Sequence, residues 1–297
     1  MRKDDGTLTP QGQSSVRKYA DLLLRKADAY GRLPTPVNDL IDAAKLEIAR
    51  ENALDKVYLG ELYRALPNAF KLVPDRLKRA AGKVLGLLDR PARTIHLDPG
   101  VHRKKQTFLS LHEVAHDALP WQRQTFALLE DSENELDPET HDQYEREANC
   151  FASEVLFQLD GFAEEAADWD FGIRTPLKLS ARFGSSFYAA ARRYVVTGCR
   201  PSALLVFEQP VVRPELGEYL VLRRAVVSPS FGEHFGEVRW PHECGPGHFF
   251  TRYRPRNKLT APTPFRLMNA EGTHVACLAE AFDSTHQIFF LLCPLKP

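Results

Sequence analysis

Phe108-Leu109-Ser110-Leu111-His112-Glu113-Val114-Ala115-His116 is the stretch on which the reading of this chain turns. Apolar residues surround two histidines four positions apart. The pattern predicts a buried helix beginning near Arg103, carrying Phe108, Leu111, His112, Ala115 and His116 inward, and stopped by Pro120. On such a helix residues four apart share a face, about 6 Å apart along the axis. Both imidazoles can then reach one zinc ion at about 2.0–2.1 Å. Glu113 follows the first histidine directly. It can sit beside the metal without binding it and take a proton from an activated water. Buried paired histidines also need partners, which argues against an ordinary helix that merely happens to carry them.

A site of the two-histidine, one-carboxylate type takes its third ligand from a second element and leaves a fourth position open. The run Tyr144-Glu145-Arg146-Glu147-Ala148-Asn149-Cys150-Phe151-Ala152 offers one. Read as part of a helix from Gln143 to Leu159, it puts Glu145, Asn149 and Ala152 on one face. Glu147 points about 200° away from Glu145, so only one of the two carboxylates can face the metal. Glu145 is the preferred ligand, and Glu147 is then expected to be a surface charge. Asn149 is placed to hydrogen-bond the second ring nitrogen of a ligand histidine. The same ligand set accepts manganese or iron as well as zinc.

Upstream, Val16, Tyr19, Ala20, Leu23 and Ala27 predict a helix over 14–30, capped at Ser14 or Ser15. A second helix is expected from Val37 to about Arg50. The runs Val84–Leu88 and Thr94–Leu97 read as a hairpin or two neighbouring strands, closed by Asp98-Pro99-Gly100. Between Gln122 and Asp142, the acidic stretch Glu130-Asp131-Ser132-Glu133-Asn134-Glu135 is expected to be a surface loop. Leu177–Arg193 reads as helix, tight turn at Gly184, helix. After about Arg200 the apolar runs at 204–207, 219–222, 275–278 and 288–292 read as strands. The expected architecture is therefore α+β. A mostly helical metal-binding core with a small sheet occupies 1–160, a helix-turn-helix-like unit 161–199, and a β-rich domain 200–297 with a sensory or substrate-docking role.

Lysine plus arginine and aspartate plus glutamate both number 39, so the net charge is zero and charge alone drives no broad binding to nucleic acid or anionic membranes. No run is long and apolar enough to cross a bilayer, and the polar start Met1–Gly6 lacks a signal-peptide core. The five cysteines are scattered, without a C-x-x-C pair, which suits reduced thiols. Cytoplasmic residence is the expectation. His242-Glu243-Cys244 with His248 matches no strong metal template and is read as a loop.

From about Arg93 to about Thr197 the sequence resembles the ImmA/IrrE family of zinc metallopeptidases. Three stretches carry the likeness: the strand Thr94–Leu97, the helix Phe108–His116, and the E-x-E-A-N segment Glu145-Arg146-Glu147-Ala148-Asn149. The resemblance implies a zincin-like core and a cytoplasmic endopeptidase that cleaves a helix-turn-helix, DNA-binding repressor and so releases transcription, in a stress or mobile-element response. It also implies that Glu145, the first glutamate of that segment, is the third zinc ligand. The proline usual after this helix is absent, since Phe157-Gln158 follows Leu156. The strand around Ile95 is expected to pair with an extended peptide. Tyr144 and His141 are candidates for a second donor to the scissile carbonyl oxygen. The rival reading is a zinc-stabilised regulatory module without turnover, binding a protein or meeting DNA through Arg182, Arg192 and Arg193.

Overall fold

The computed structural model describes residues 6–49, 86–130 and 136–295. The chain divides into two compact units, Met1–Gly161 with Arg182–Ser185, and Phe162–Ala181 with Ser186–Pro297.

In the first unit, α1 (Pro10–Lys26) opens a turn earlier than Ser14. Thr9 caps it: its hydroxyl accepts the Gly12 N–H at 3.2 Å, and Pro10 presets the first helical φ. Val16, Ala20, Leu23 and Leu24 are its buried side. The next helix, α2 (Val37–Ala43), stops well short of Arg50. Lys45 takes a left-handed φ of 60°, and Glu47–Ile48 run on as strand β1. The cause is tertiary: Arg93 donates to the carbonyls of Ala44 and Lys45 at 2.7 and 3.2 Å, fixing the helix end.

Strands β2 (Gly86–Asp89) and β3 (Thr94–Leu97) form the expected antiparallel pair, and β1 adds parallel to β3. Val84 and Leu85 lie outside the described residues. The sheet order is β1-β3-β2. That corrects one expectation. The strand around Ile95 is internal, with both edges already paired, so an extended peptide cannot add to it. The edges left open among the described residues are those of β1 and β2.

Helix α3 (Arg103–Ala118) carries the two histidines and packs on α5 and on strands β2 and β3. Pro120 ends α3 as expected but also opens α4 (Pro120–Glu130), a helix that the sequence reading did not identify. A proline at the first helical position costs no hydrogen bond, and Trp121 and Gln122 turn inward from there. The acidic run from Asp131 to Glu135 lies outside the described residues. Helix α5 (Pro138–Leu156) starts at Asp137, whose carboxylate accepts the N–H groups of Glu139 and Thr140 at 3.1 and 3.0 Å. Its far end is tied to α1, where Arg17 pairs with the buried Glu154 at 2.9 Å.

The second unit holds helices α6 (Gly161–Ala167), α7 (Arg174–Arg182) and α8 (Phe187–Thr197). Gly184 supplies the expected turn between α7 and α8 with φ 72°. Strands β4 (Ala203–Glu208), β5 (Val211–Arg213) and β6 (Gly217–Val227) follow, then α9 (Pro229–Phe235), β7 (Glu243–Cys244) and α10 (Phe249–Arg252). Strands β8 (Thr263–Met268), β9 (His274–Asp283) and β10 (Gln287–Pro294) complete an antiparallel sheet of order β5-β6-β4-β10-β9-β8, with β7 on β6. Both faces of its centre are covered. Phe289 meets Phe187 of α8, while the next residue, Phe290, meets Phe250 of α10. This is why 203–207 and 288–292 read as unbroken apolar runs, whereas β8 alternates. Helices and strands are thus both present and segregated, an α+β arrangement. No helix among the described residues is long and apolar enough to cross a membrane.

Candidate metal centre

Helices α3 and α5 bring His112, His116 and Glu145 together. The Nε2 atoms of His112 and His116 lie 3.2 Å apart. Glu145 places Oε2 3.4 Å from His112 Nε2 and Oε1 3.6 Å from His116 Nε2. Four ligands held at about 2.1 Å in a tetrahedron stand about 3.4 Å from one another. The three separations, two of which end on different oxygens of Glu145, are close to that spacing, so a zinc-sized ion fits without moving a side chain far. His112, Glu113 and His116 are 9%, 7% and 8% exposed, and the surrounding apolar faces of Leu111, Val114 and Ala115 are buried.

The outer nitrogens are engaged. His112 Nδ1 lies 3.1 Å from Asn149 Oδ1, as the helical spacing predicted, and His116 Nδ1 lies 2.7 Å from Gln122 Oε1. Each ring therefore donates outward through Nδ1 and turns Nε2 to the centre. Two imidazole nitrogens and a carboxylate converging in a buried space demand positive charge. The electrostatics of the metal-free site say the same. Burial works against a charged His112, but the hydrogen bond to Glu145 and the charges of Glu113 and Glu145 outweigh it and lift its pKa. Burial, with the neighbouring His112, pushes His116 down to about 4. Burial would raise Glu145, yet His112 and His116 hold it at about 2. One proton near His112 meets the demand when no metal does; a divalent ion meets it better.

Glu113 is not part of the triangle. It sits against β2, where its carboxylate accepts the Leu88 N–H. A Cβ on Gly86 would stand 2.9 Å from Glu113 Oε1, so any side chain there would push the carboxylate back. Burial raises Glu113 to about 7, against the pull of His112, the Leu88 N–H and Arg90. That value suits a group that both takes and returns a proton near neutral pH.

Several neighbours were missed by sequence reasoning. Arg90, on the turn after β2, stacks its guanidinium 3.8 Å from the centroid of Phe126, and Phe126 stands edge-on to His116 at 5.8 Å. Its charge is felt by both Glu113 and His116. Gln122 and Trp121 enter from α4. Glu147, expected to be a surface charge, is 5% exposed and accepts hydrogen bonds from both. Of the two expected carbonyl donors, Tyr144 is buried with its hydroxyl on Thr125 at 2.9 Å, and His141 reaches the site only through its charge on Glu145.

Other sequence candidates gather no site. Glu243 and Cys244 form a short strand rather than a loop, Glu243 pairs with Arg213, and His248 caps α10. Arg193 is buried and so does not face phosphate.

A paired-histidine helix facing a carboxylate helix, with a buried glutamate at its side, is an arrangement that could hold a metal ion. The comparisons point the same way. Residues 72–194 match the model of the Peptidase_M78 family, described as an IrrE N-terminal-like domain. The resemblance read from the sequence thus holds, and a metallopeptidase-type domain with a protein substrate is what it supports. Among solved structures, a Mycobacterium tuberculosis transcriptional regulator is similar at 13% identity, covering 95% of this chain and 81% of that one, with a TM-score of 0.40. A likeness that loose decides nothing about function. No curated protein matches by sequence.

Proposed function

We propose that the chain is a zinc-dependent endopeptidase in which His112, His116 and Glu145 hold the metal and Glu113 moves the proton. The observation that carries this is the set of separations of 3.2, 3.4 and 3.6 Å among two imidazole nitrogens and the two oxygens of one carboxylate, inside the segment that matches a peptidase family. A zinc ion bound there supplies the Lewis acidity that activates a water and polarises a peptide carbonyl. Manganese or iron fits the same donors.

Glu113 takes the proton of the attacking water on a carboxylate oxygen and delivers it to the leaving amine. The Leu88 N–H keeps that carboxylate aimed, and its raised pKa lets it hold the proton between the two events. Arg90, fixed by Phe126, provides a positive charge for the oxygen of the tetrahedral intermediate. Asn149 keeps His112 turned to the metal. The substrate segment lies extended along the open edge of β2. Leu88 turns its N–H from that edge toward Glu113, and Gly86 shares the same side of the strand. The substrate we infer is a helix-turn-helix repressor, cleaved in the cytoplasm in a stress or mobile-element response. This inference rests on the family resemblance. The β-rich second unit is then the sensory or docking part.

The test is metal content and turnover on the same samples. Purified protein is loaded with zinc, dialysed and assayed for metal, then incubated with a mixed peptide library whose new N-termini are read by mass spectrometry. One zinc per chain is expected in wild type, little in His116→Ala and Glu145→Gln, and full zinc without cleavage in Glu113→Gln. A wild type that binds no supplied zinc overturns the reading. If zinc binds and Glu113→Gln changes no measurable function, the protein is a zinc-stabilised regulatory module instead.

A further inference from the structure

The side chains of α4 and α5 form a chain of hydrogen bonds that ends on a ligand. Gln122 is fully buried. Its Nε2 donates to Glu147 Oε2 at 2.7 Å and to the Tyr144 carbonyl at 3.2 Å. A carboxylate and a carbonyl can only accept, so the amide must present its NH2 group on this side. Its oxygen is thereby turned to His116 Nδ1, 2.7 Å away. An oxygen there accepts, so Nδ1 must carry the hydrogen and Nε2 must be bare toward His112 and Glu145. Glu147 is itself held in place. Trp121 Nε1 donates to Oε2 at 2.6 Å and Gln143 Nε2 to Oε1 at 3.0 Å.

We propose that Glu147 is a positioning residue for the metal centre, and that through Gln122 it fixes which ring nitrogen of His116 is free to bind. The inference rests on the metallopeptidase reading for its purpose, not for its geometry. Glu145 and Glu147 stand two residues apart and divide the work: one faces the metal, the other sets a ligand's tautomer from behind. A carboxylate suits the second role because it has no N–H to offer. With glutamine at 147, the amide can present its own NH2 to Gln122. Gln122 then turns over, offers NH2 to His116 Nδ1, and moves the ring hydrogen to Nε2, where it blocks the metal.

Two measurements on the full-length protein test this. Zinc affinity is measured by competition with a chelator, and the His116 tautomer by side-chain 15N shifts of histidine-labelled, metal-free protein. Glu147→Gln is expected to weaken zinc binding about 10–100-fold, the usual consequence of losing a partner behind a ligand histidine. The His116 Nδ1–H signature should weaken with it. Gln122→Ala should lose a similar factor, and the double variant no more than either alone, because both act through one chain. Trp121→Phe removes one of the donors that hold Glu147 while leaving the Gln122 bond, so it should lose clearly less zinc affinity than Glu147→Gln. Should Glu147→Gln not fold, Gln122→Ala carries the tautomer test. Wild-type affinity and an unchanged Nδ1–H signature in Glu147→Gln overturn the inference, as does an equal loss in Trp121→Phe, which would mark a packing effect. A wild type that takes no zinc refutes the metallopeptidase reading alone, since the tautomer shifts still decide the role of Glu147.

Discussion

Replacing Gly86 by alanine separates the aim of the base from the metal and the fold. The new Cβ would stand 2.9 Å from Glu113 Oε1, while ordinary contact begins at 3.4 Å. The strand is held by its pairing with β3 across the whole of Gly86–Asp89, so the carboxylate must retreat. The retreat is about 0.5 Å, and it pulls against the Leu88 hydrogen bond. A misplacement of about 1 Å can cost about 10²-fold in rate, so half of that predicts a kcat about tenfold lower, near 1.4 kcal/mol. Zinc content should not change, because Glu113 is not one of the three converging donors. Stability should not fall either. Gly86 is not among the residues with positive φ, and alanine narrows the unfolded ensemble, an effect of about 0.4–1 kcal/mol in favour of the folded state. The assay is kcat on the best-cleaved library peptide, with metal analysis and urea unfolding on the same preparation. A folded, zinc-loaded Gly86→Ala protein with wild-type kcat would refute the argument. So would loss of zinc, since it would mean that Glu113 and the ligands move together.

Arg93→Ala should destabilise the first unit by about 2–4 kcal/mol in urea unfolding: it strips a bidentate partner, at 2.6 and 3.0 Å, from the buried Asp117 and uncaps α2. A loss below about 1 kcal/mol would show that Asp117 finds water instead. Arg90→Gln should lower kcat about 10²-fold with zinc content unchanged, the size expected for one lost oxyanion partner; an unaltered kcat removes Arg90 from the mechanism. Burial pushes the Cys244 and Cys277 thiols up to about 11. At pH 8 an aromatic disulfide reagent should therefore label the exposed Cys199 first and leave these two until the protein unfolds, and early modification of either would contradict their burial.

Local chemistry decided which elements could be read directly. The histidine helix was legible because an apolar face at helical spacing and a stopping proline are short-range signals. So were the strands at 203–207 and 288–292, whose unbroken apolar runs reflect burial on both faces. The end of α2 was not legible. It is set by Arg93, 48 and 49 residues away along the chain, which caps the last carbonyls and diverts the backbone into β1. Helix α4 was hidden for a similar reason. Its inward residues are Trp121 and Gln122, and a buried glutamine reads as surface until its partners are known.

The same distinction runs through the site. Spacing put His112 with His116 on one face of one helix and Glu145 with Asn149 on one face of another, because each of those relations spans a single helical turn. It also said, correctly, that Glu145 and Glu147 face apart. It could not say what Glu147 faces, since that answer comes from α4 and a pairing across 25 residues. A carboxylate on the far side of a helix has two fates, solvent or a buried set of donors. Burying an unpaired carboxylate is far too costly to occur by default. Glu147 is buried with three donors, one of them turned by it toward a ligand. The arrangement therefore places positive demand at the front of the centre and fixed negative charge behind it. With Asn149 behind His112, it turns the Nε2 of each imidazole to one point.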